Sequence, residues 1–73
     1  MFYNDLKIKV YKETYLQGMR VRLNEMHGEP CERMYNGLEG TVQFVDDAGH
    51  IHVRWDSGSG LSLIPEVDKF EII

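Results

Sequence analysis

Cysteine is almost missing from this 73-residue chain: Cys31 is the only one. A lone cysteine excludes an internal disulfide, and a secreted domain with so small a core ordinarily needs several. The expected setting is therefore cytoplasmic. No apolar run approaches the ~20 residues of a membrane-crossing helix. The first ten residues, MFYNDLKIKV, mix charges among apolar positions where a signal peptide needs an unbroken apolar stretch. No membrane partner is expected. Bases are also in deficit, eight Lys and Arg against twelve Asp and Glu, for a net charge of -4. That balance opposes non-specific binding to nucleic acid, which depends on basic side chains neutralising phosphates. Internal repeats and low-complexity tracts are missing too.

Length sets a further bound. A chain of 73 residues is one small domain, and it buries only ~60% of the surface that it exposes when unfolded. Such a core leaves little room for a cleft, which argues against a multi-step enzyme with a buried cofactor. The composition, 42% hydrophobic, 27% charged and 11% aromatic, is that of a folded domain rather than a disordered one.

The charge is uneven. Residues 1–23 carry +3 and residues 24–73 carry -7. The structural zones follow a similar line. Residues 1–17 hold three of the four tyrosines and three of the four lysines, and no glycine, whereas all seven glycines fall in 18–73. The expected organisation is an N-terminal helical or irregular extension over 1–17 and a β domain over 18–73. Within residues 4–16 the alternation of Leu6, Ile8 and Val10 fits a strand. Gathering Leu6, Val10, Tyr11 and Tyr15 on one side fits a helix capped by Asn4, which is the reading preferred here.

From Gly18 onward, short apolar alternations are separated by turn signals. Met19–Leu23 alternates apolar and basic residues, and 41–45 is rich in β-branched and aromatic residues. In 50–55, Ile51, Val53 and Trp55 share one face, with His50, His52 and Arg54 on the other. Residues 61–64 and 69–73 complete five strands. Asp46-Asp47-Ala48-Gly49 and Asp56-Ser57-Gly58-Ser59-Gly60 read as tight turns, and 65–68 as one helical turn. Asn24 to Glu39 is a long first loop. The fold class is thus mainly β, a small five-stranded SH3-like barrel with a short N-terminal helix. The expected inward set is Val21, Leu23, Val42, Phe44, Ile51, Val53, Trp55, Leu61, Leu63, Phe70 and Ile72.

No constellation for catalysis emerges. Cys31 as a nucleophile would need a positioned base, and His27 stands four residues away in the long loop. Gly58-Ser59-Gly60 lacks the lysine and following helix of a phosphate-binding loop. His27, Cys31, His50 and His52 follow no zinc-ligand spacing. No catalytic residue, metal or cofactor is expected. Trp55 belongs in the core by its phase with Ile51 and Val53, with its indole N–H meeting one partner.

The run from Gly40-Thr41-Val42 through His50-Ile51-His52-Val53-Arg54-Trp55-Asp56-Ser57-Gly58 to Lys69-Phe70-Glu71, with Gly18–Leu23 before it, resembles the bacterial domain of unknown function 4314. That resemblance implies a setting in bacteria and in their phages or other mobile elements. It implies no catalytic or binding residues. The chain departs from the family pattern between Asn24 and Glu39, where relatives tend to carry prolines. The expected function is a non-enzymatic small binding module contacting a protein partner, as a monomer or homodimer. In the setting that the resemblance implies, it would modulate or inhibit a host bacterial protein. The candidate partner-binding residues are His27, Arg33 and Tyr35 in the long loop and His52 and Arg54 on the third strand. The alternative is nucleic-acid or nucleotide binding by the barrel surface, using Arg20, Arg22, Arg54, Tyr35 and the N-terminal lysines.

Overall fold

A computed structural model describes residues 4–25 and 34–73. The Asn4 side chain accepts a hydrogen bond of 2.8 Å from the Lys7 amide, and this cap starts helix α1, Asp5–Thr14. Asp5 in the first turn and Lys12 in the last suit the two ends of the helix dipole. The helical reading of 4–16 therefore holds. The helix turns Ile8 into the protein, while Tyr11 and Tyr15, one and two turns on, pack against the sheet's core.

Four strands follow: β1 (Arg20–Glu25), β2 (Glu39–Val45), β3 (Ile51–Trp55) and β4 (Lys69–Ile72). They form one open antiparallel sheet in the order β3-β2-β1-β4. Among the described residues the sheet has four strands, where the sequence reading expects five. The segment 61–64, read from sequence as a strand, contributes a single antiparallel bridge, Leu63 to Ile51. That bridge has both of its backbone hydrogen bonds, 2.9 and 2.8 Å.

Alternation on β1 and β3 decides the core. Val21, Leu23, Ile51, Val53 and Trp55 are buried, together with Val42, Val45 and Leu63. Burying an aliphatic side chain of this size contributes ~1.5–3 kcal/mol, so a handful of them carries a small domain. Trp55 is 1% exposed, and its indole N–H donates to the Leu61 carbonyl at 2.8 Å. Gly40 lies beneath it. A Cβ at that position would stand 2.6 Å from Val53 Cγ1, 2.8 Å from Trp55 Cε3 and 2.9 Å from the Arg54 carbonyl oxygen. Only glycine lets β2 lie this close to β3.

The inward set needs three corrections. Phe44 is 54% exposed, Leu61 49% and Ile72 45%. Phe44 turns outward because the β2–β3 register shifts between Val42 and Phe44. Gln43 is the extra residue of a bulge, so Val45 rather than Phe44 resumes the inward phase. Leu61 presents its carbonyl to Trp55 and leaves its side chain outside. Ile72 sits on the edge strand β4, with no further strand beside it among the described residues. Phe70 is half-buried and meets Tyr15, ring centroids 5.6 Å apart. Met34 and Leu38 join the core instead. They come from the end of the long loop, which is tied to β1 where Leu23 donates to the Leu38 carbonyl and Gly37 to the Leu23 carbonyl, both at 2.7 Å.

Two turns brace the ends. Asp68, 7% exposed, accepts the Ile64 amide at 2.8 Å while its own amide donates back to the Ile64 carbonyl at 2.9 Å. Glu66, at φ 72°, holds the left-handed backbone region. Its carboxylate receives Lys7 Nζ at 3.0 and 3.1 Å and the Tyr11 hydroxyl at 2.9 Å, which fastens α1 to this turn.

Candidate functional site: the outer face of β2 and β3

On β3 the side chains of His52 and Arg54 point away from the core, as the alternation predicts. His50 does not join them. It precedes the strand; its carbonyl accepts the Asp46 amide at 3.0 Å and its amide donates to Asp46 Oδ1 at 2.9 Å. The β2–β3 register sets Phe44 opposite His52 and Thr41 opposite Arg54. The two rings stack at 4.3 Å between centroids and 9° between planes.

Asp46 fixes that stack. Its Oδ1 accepts the amides of Ala48 at 3.0 Å and His50 at 2.9 Å, which closes the β2–β3 turn. Its Oδ2 lies 2.8 Å from His52 Nε2. Partial burial pushes the Asp46 carboxyl up, but the bonds from the His52 ring and the two amides outweigh it and hold the group below the usual carboxylate range. One carboxylate thus shapes the turn and orients the imidazole. Gly49 at φ 86° supplies the left-handed residue that the same turn requires.

The rest of the outer face is a ladder of paired charges. Arg20 grips both oxygens of Asp56, at 2.9 and 2.6 Å, and reaches Thr41 Oγ1 at 3.0 Å and Glu39 at 3.5 Å. Arg22 bridges Glu39 at 3.5 Å and Glu71 at 3.3 Å. The two-pronged bond from Arg20 is the main reason the Asp56 carboxyl is lowered, and Asp56 in turn raises the Arg20 guanidinium. Arg54 is exposed, and among the described residues its guanidinium meets neither a carboxylate nor another acceptor.

Of the sequence-predicted residues, the structure brings His52 and Arg54 together on one strand. Tyr35 is 55% exposed but belongs to the turn before β2, which its carbonyl closes by accepting the Leu38 amide at 3.1 Å. Some five strand residues separate that turn from the stacked rings, roughly 16 Å at ~3.3 Å per residue. His27 and Arg33 lie outside the described residues. Phe44 and Asp46 were missed from sequence. The available signal was the spacing of Val42 and Val45, since two apolar residues three positions apart share one face of a strand only if a bulge intervenes, which leaves Phe44 on the other. Among the described residues no group of three or more His, Cys, Asp or Glu gathers as a metal cluster. No helix among them is long and apolar enough to cross a membrane.

A family model described as a domain of unknown function (DUF4314) matches residues 4–73. The chain belongs to that family, and the match takes in helix α1 as well as the sheet. No curated protein and no solved structure matches the chain.

Proposed function

We propose that this member of the DUF4314 family is a non-enzymatic binding module whose outer β2–β3 face engages a protein partner. The observation that carries this reading is Phe44. A bulge turns a large aromatic outward, a pinned histidine supports its ring, and an arginine with no counter-ion among the described residues stands on the same face. Bulges commonly re-aim a side chain beside a functional site, and aromatic residues and arginine dominate the energetics of protein interfaces. The finer fold reading belongs here too. With the Leu63 bridge extending the sheet beyond β3, the strand order is the one that an SH3-like barrel would use. In the bacterial and phage setting that the resemblance implies, the partner is a host protein that this module modulates or inhibits inside the cell.

Nucleic acid is the weaker reading. Arg20 and Arg22, which would contact phosphates, are already matched by Asp56, Glu39 and Glu71, and the chain carries -4 overall.

Affinity capture from nuclease-treated bacterial lysate tests the proposal, with wild type, Phe44→Ala and Arg54→Glu as baits. A single stoichiometric protein held by wild type and lost with both variants supports it. Equal capture by all three moves the surface elsewhere. Recovery of nucleic acid without protein from untreated lysate favours the alternative.

A further inference from the structure

The outer face defines the chemistry of what it binds, if the binding-face reading above is right. Arg54 is its one unmatched guanidinium among the described residues, in a setting otherwise lined by Glu39, Asp46, Asp56 and Glu71. A polyanion bringing many phosphates would meet those carboxylates at every step and only one open cation. A single carboxylate meets no such penalty, and arginine takes it in a two-pronged geometry. The second element of the face is flat. Phe44 shows half its surface to solvent, with its ring fixed in plane by the His52 stack.

Spacing joins the two. His52 and Arg54 are alternate residues of β3, ~6–7 Å apart along the strand, and Phe44 lies across the ladder from His52. Side chains at i and i+2 of an extended peptide are separated by the same distance. We propose that the face binds an extended peptide segment of its partner that brings a single carboxylate. The segment carries a carboxylate and an aromatic side chain two residues apart, the carboxylate on Arg54 and the aromatic ring on Phe44. Complementary charge gives the segment its direction, and the ring stack gives it contact area.

The probe is a synthetic heptapeptide with glutamate and tyrosine two residues apart between glycine and serine flanks, titrated into the full chain and followed by amide NMR shifts. Shifts confined to Phe44, His52, Arg54 and their strand neighbours are expected. Affinity should fall tenfold or more when glutamine replaces the glutamate or when the chain carries Arg54→Gln. A lysine-for-glutamate peptide should regain binding on Arg54→Glu, whose fold is checked by circular dichroism. Equal binding of the glutamine peptide, tighter binding of an oligothymidine to the same amides, or unmoved amides on this face would overturn the inference. If no peptide binds but lysate capture still needs Phe44 and Arg54, this inference falls and the binding-face reading stands. If capture is also indifferent to both residues, the two fall together.

Discussion

The ring of Phe44 lies flat on that of His52, with centroids 4.3 Å apart and planes 9° from parallel. The pair is held by the 2.8 Å contact between His52 Nε2 and Asp46 Oδ2. Val45 and Ile51, the next pair along the ladder, face inward to the core. A large aromatic on this side of the sheet is therefore dispensable to the fold. Phe44→Ala and Arg54→Glu should each change stability by no more than about 0.5–1 kcal/mol, as exposed substitutions usually do. Urea denaturation checks this. A large loss for Phe44→Ala would mean that the ring is inside and the bulge at Gln43 is misplaced.

Gly40→Ala should be costly although it adds one methyl. The new Cβ would meet the Arg54 carbonyl oxygen at 2.9 Å, a backbone atom that cannot rotate away. It would also meet two buried side chains, Val53 and Trp55. Overpacking of this kind typically costs ~1–3 kcal/mol. A denaturation midpoint equal to wild type would contradict the pairing of Gly40 with Trp55.

The helix cap and the inward face of β3 were legible in the sequence because local rules decide them. Asn4 precedes a helix-length segment, and Ile51, Val53 and Trp55 alternate without competition. The errors share a different origin. Val42, Phe44 and Val45 compete for one face, and the bulge that resolves the contest depends on where β3 pairs, a long-range fact. Met34 and Leu38 looked like loop residues because their place in the core depends on the end of the long loop being tied back to Leu23 through Gly37 and Leu38. Half of the candidate site followed from alternation, in His52 and Arg54. Phe44 and Asp46 needed the register.

Trp55→Ala should leave a chain that does not fold cooperatively. The side chain is 1% exposed at the centre of a small core, and such truncations cost ~3–5 kcal/mol. Trp55→Phe separates packing from polarity. It keeps an aromatic body but leaves the Leu61 carbonyl without the indole N–H that now reaches it at 2.8 Å. Its thermal midpoint should fall between wild type and the alanine variant. A cooperative melt of Trp55→Ala close to wild type would place the indole outside the core.

Glu66 combines backbone strain with a useful side chain. Its φ of 72° suits glycine, while its carboxylate holds Lys7 and Tyr11 of α1. Both Glu66→Gly and Glu66→Ala lose those bonds, and only glycine relieves the left-handed backbone. The glycine variant should melt at a higher temperature than the alanine variant. The reverse order would show that the turn at 66 is unstrained.

Acid should destabilise the protein through three carboxyls. Burial pushes Asp46 up, but bonds from His52 and the amides of His50 and Ala48 outweigh it. Asp56 is lowered chiefly by Arg20, and Glu66 chiefly by Lys7 and then Tyr11. A carboxyl lowered in the folded state contributes stability that is present above its unfolded value, ~4 for Asp and Glu. That contribution is lost as pH falls through the folded value. Thermal midpoints should therefore hold steady from about pH 6 to 5 and drop progressively below about pH 4. Asp46→Asn should show a shallower drop than wild type, because its amide has no proton to gain. Its oxygen can still accept the backbone bonds of the turn, so the comparison isolates the charge. A drop of undiminished slope in Asp46→Asn, Asp56→Asn and Glu66→Gln alike would show that these three carboxyls do not govern the acid limb.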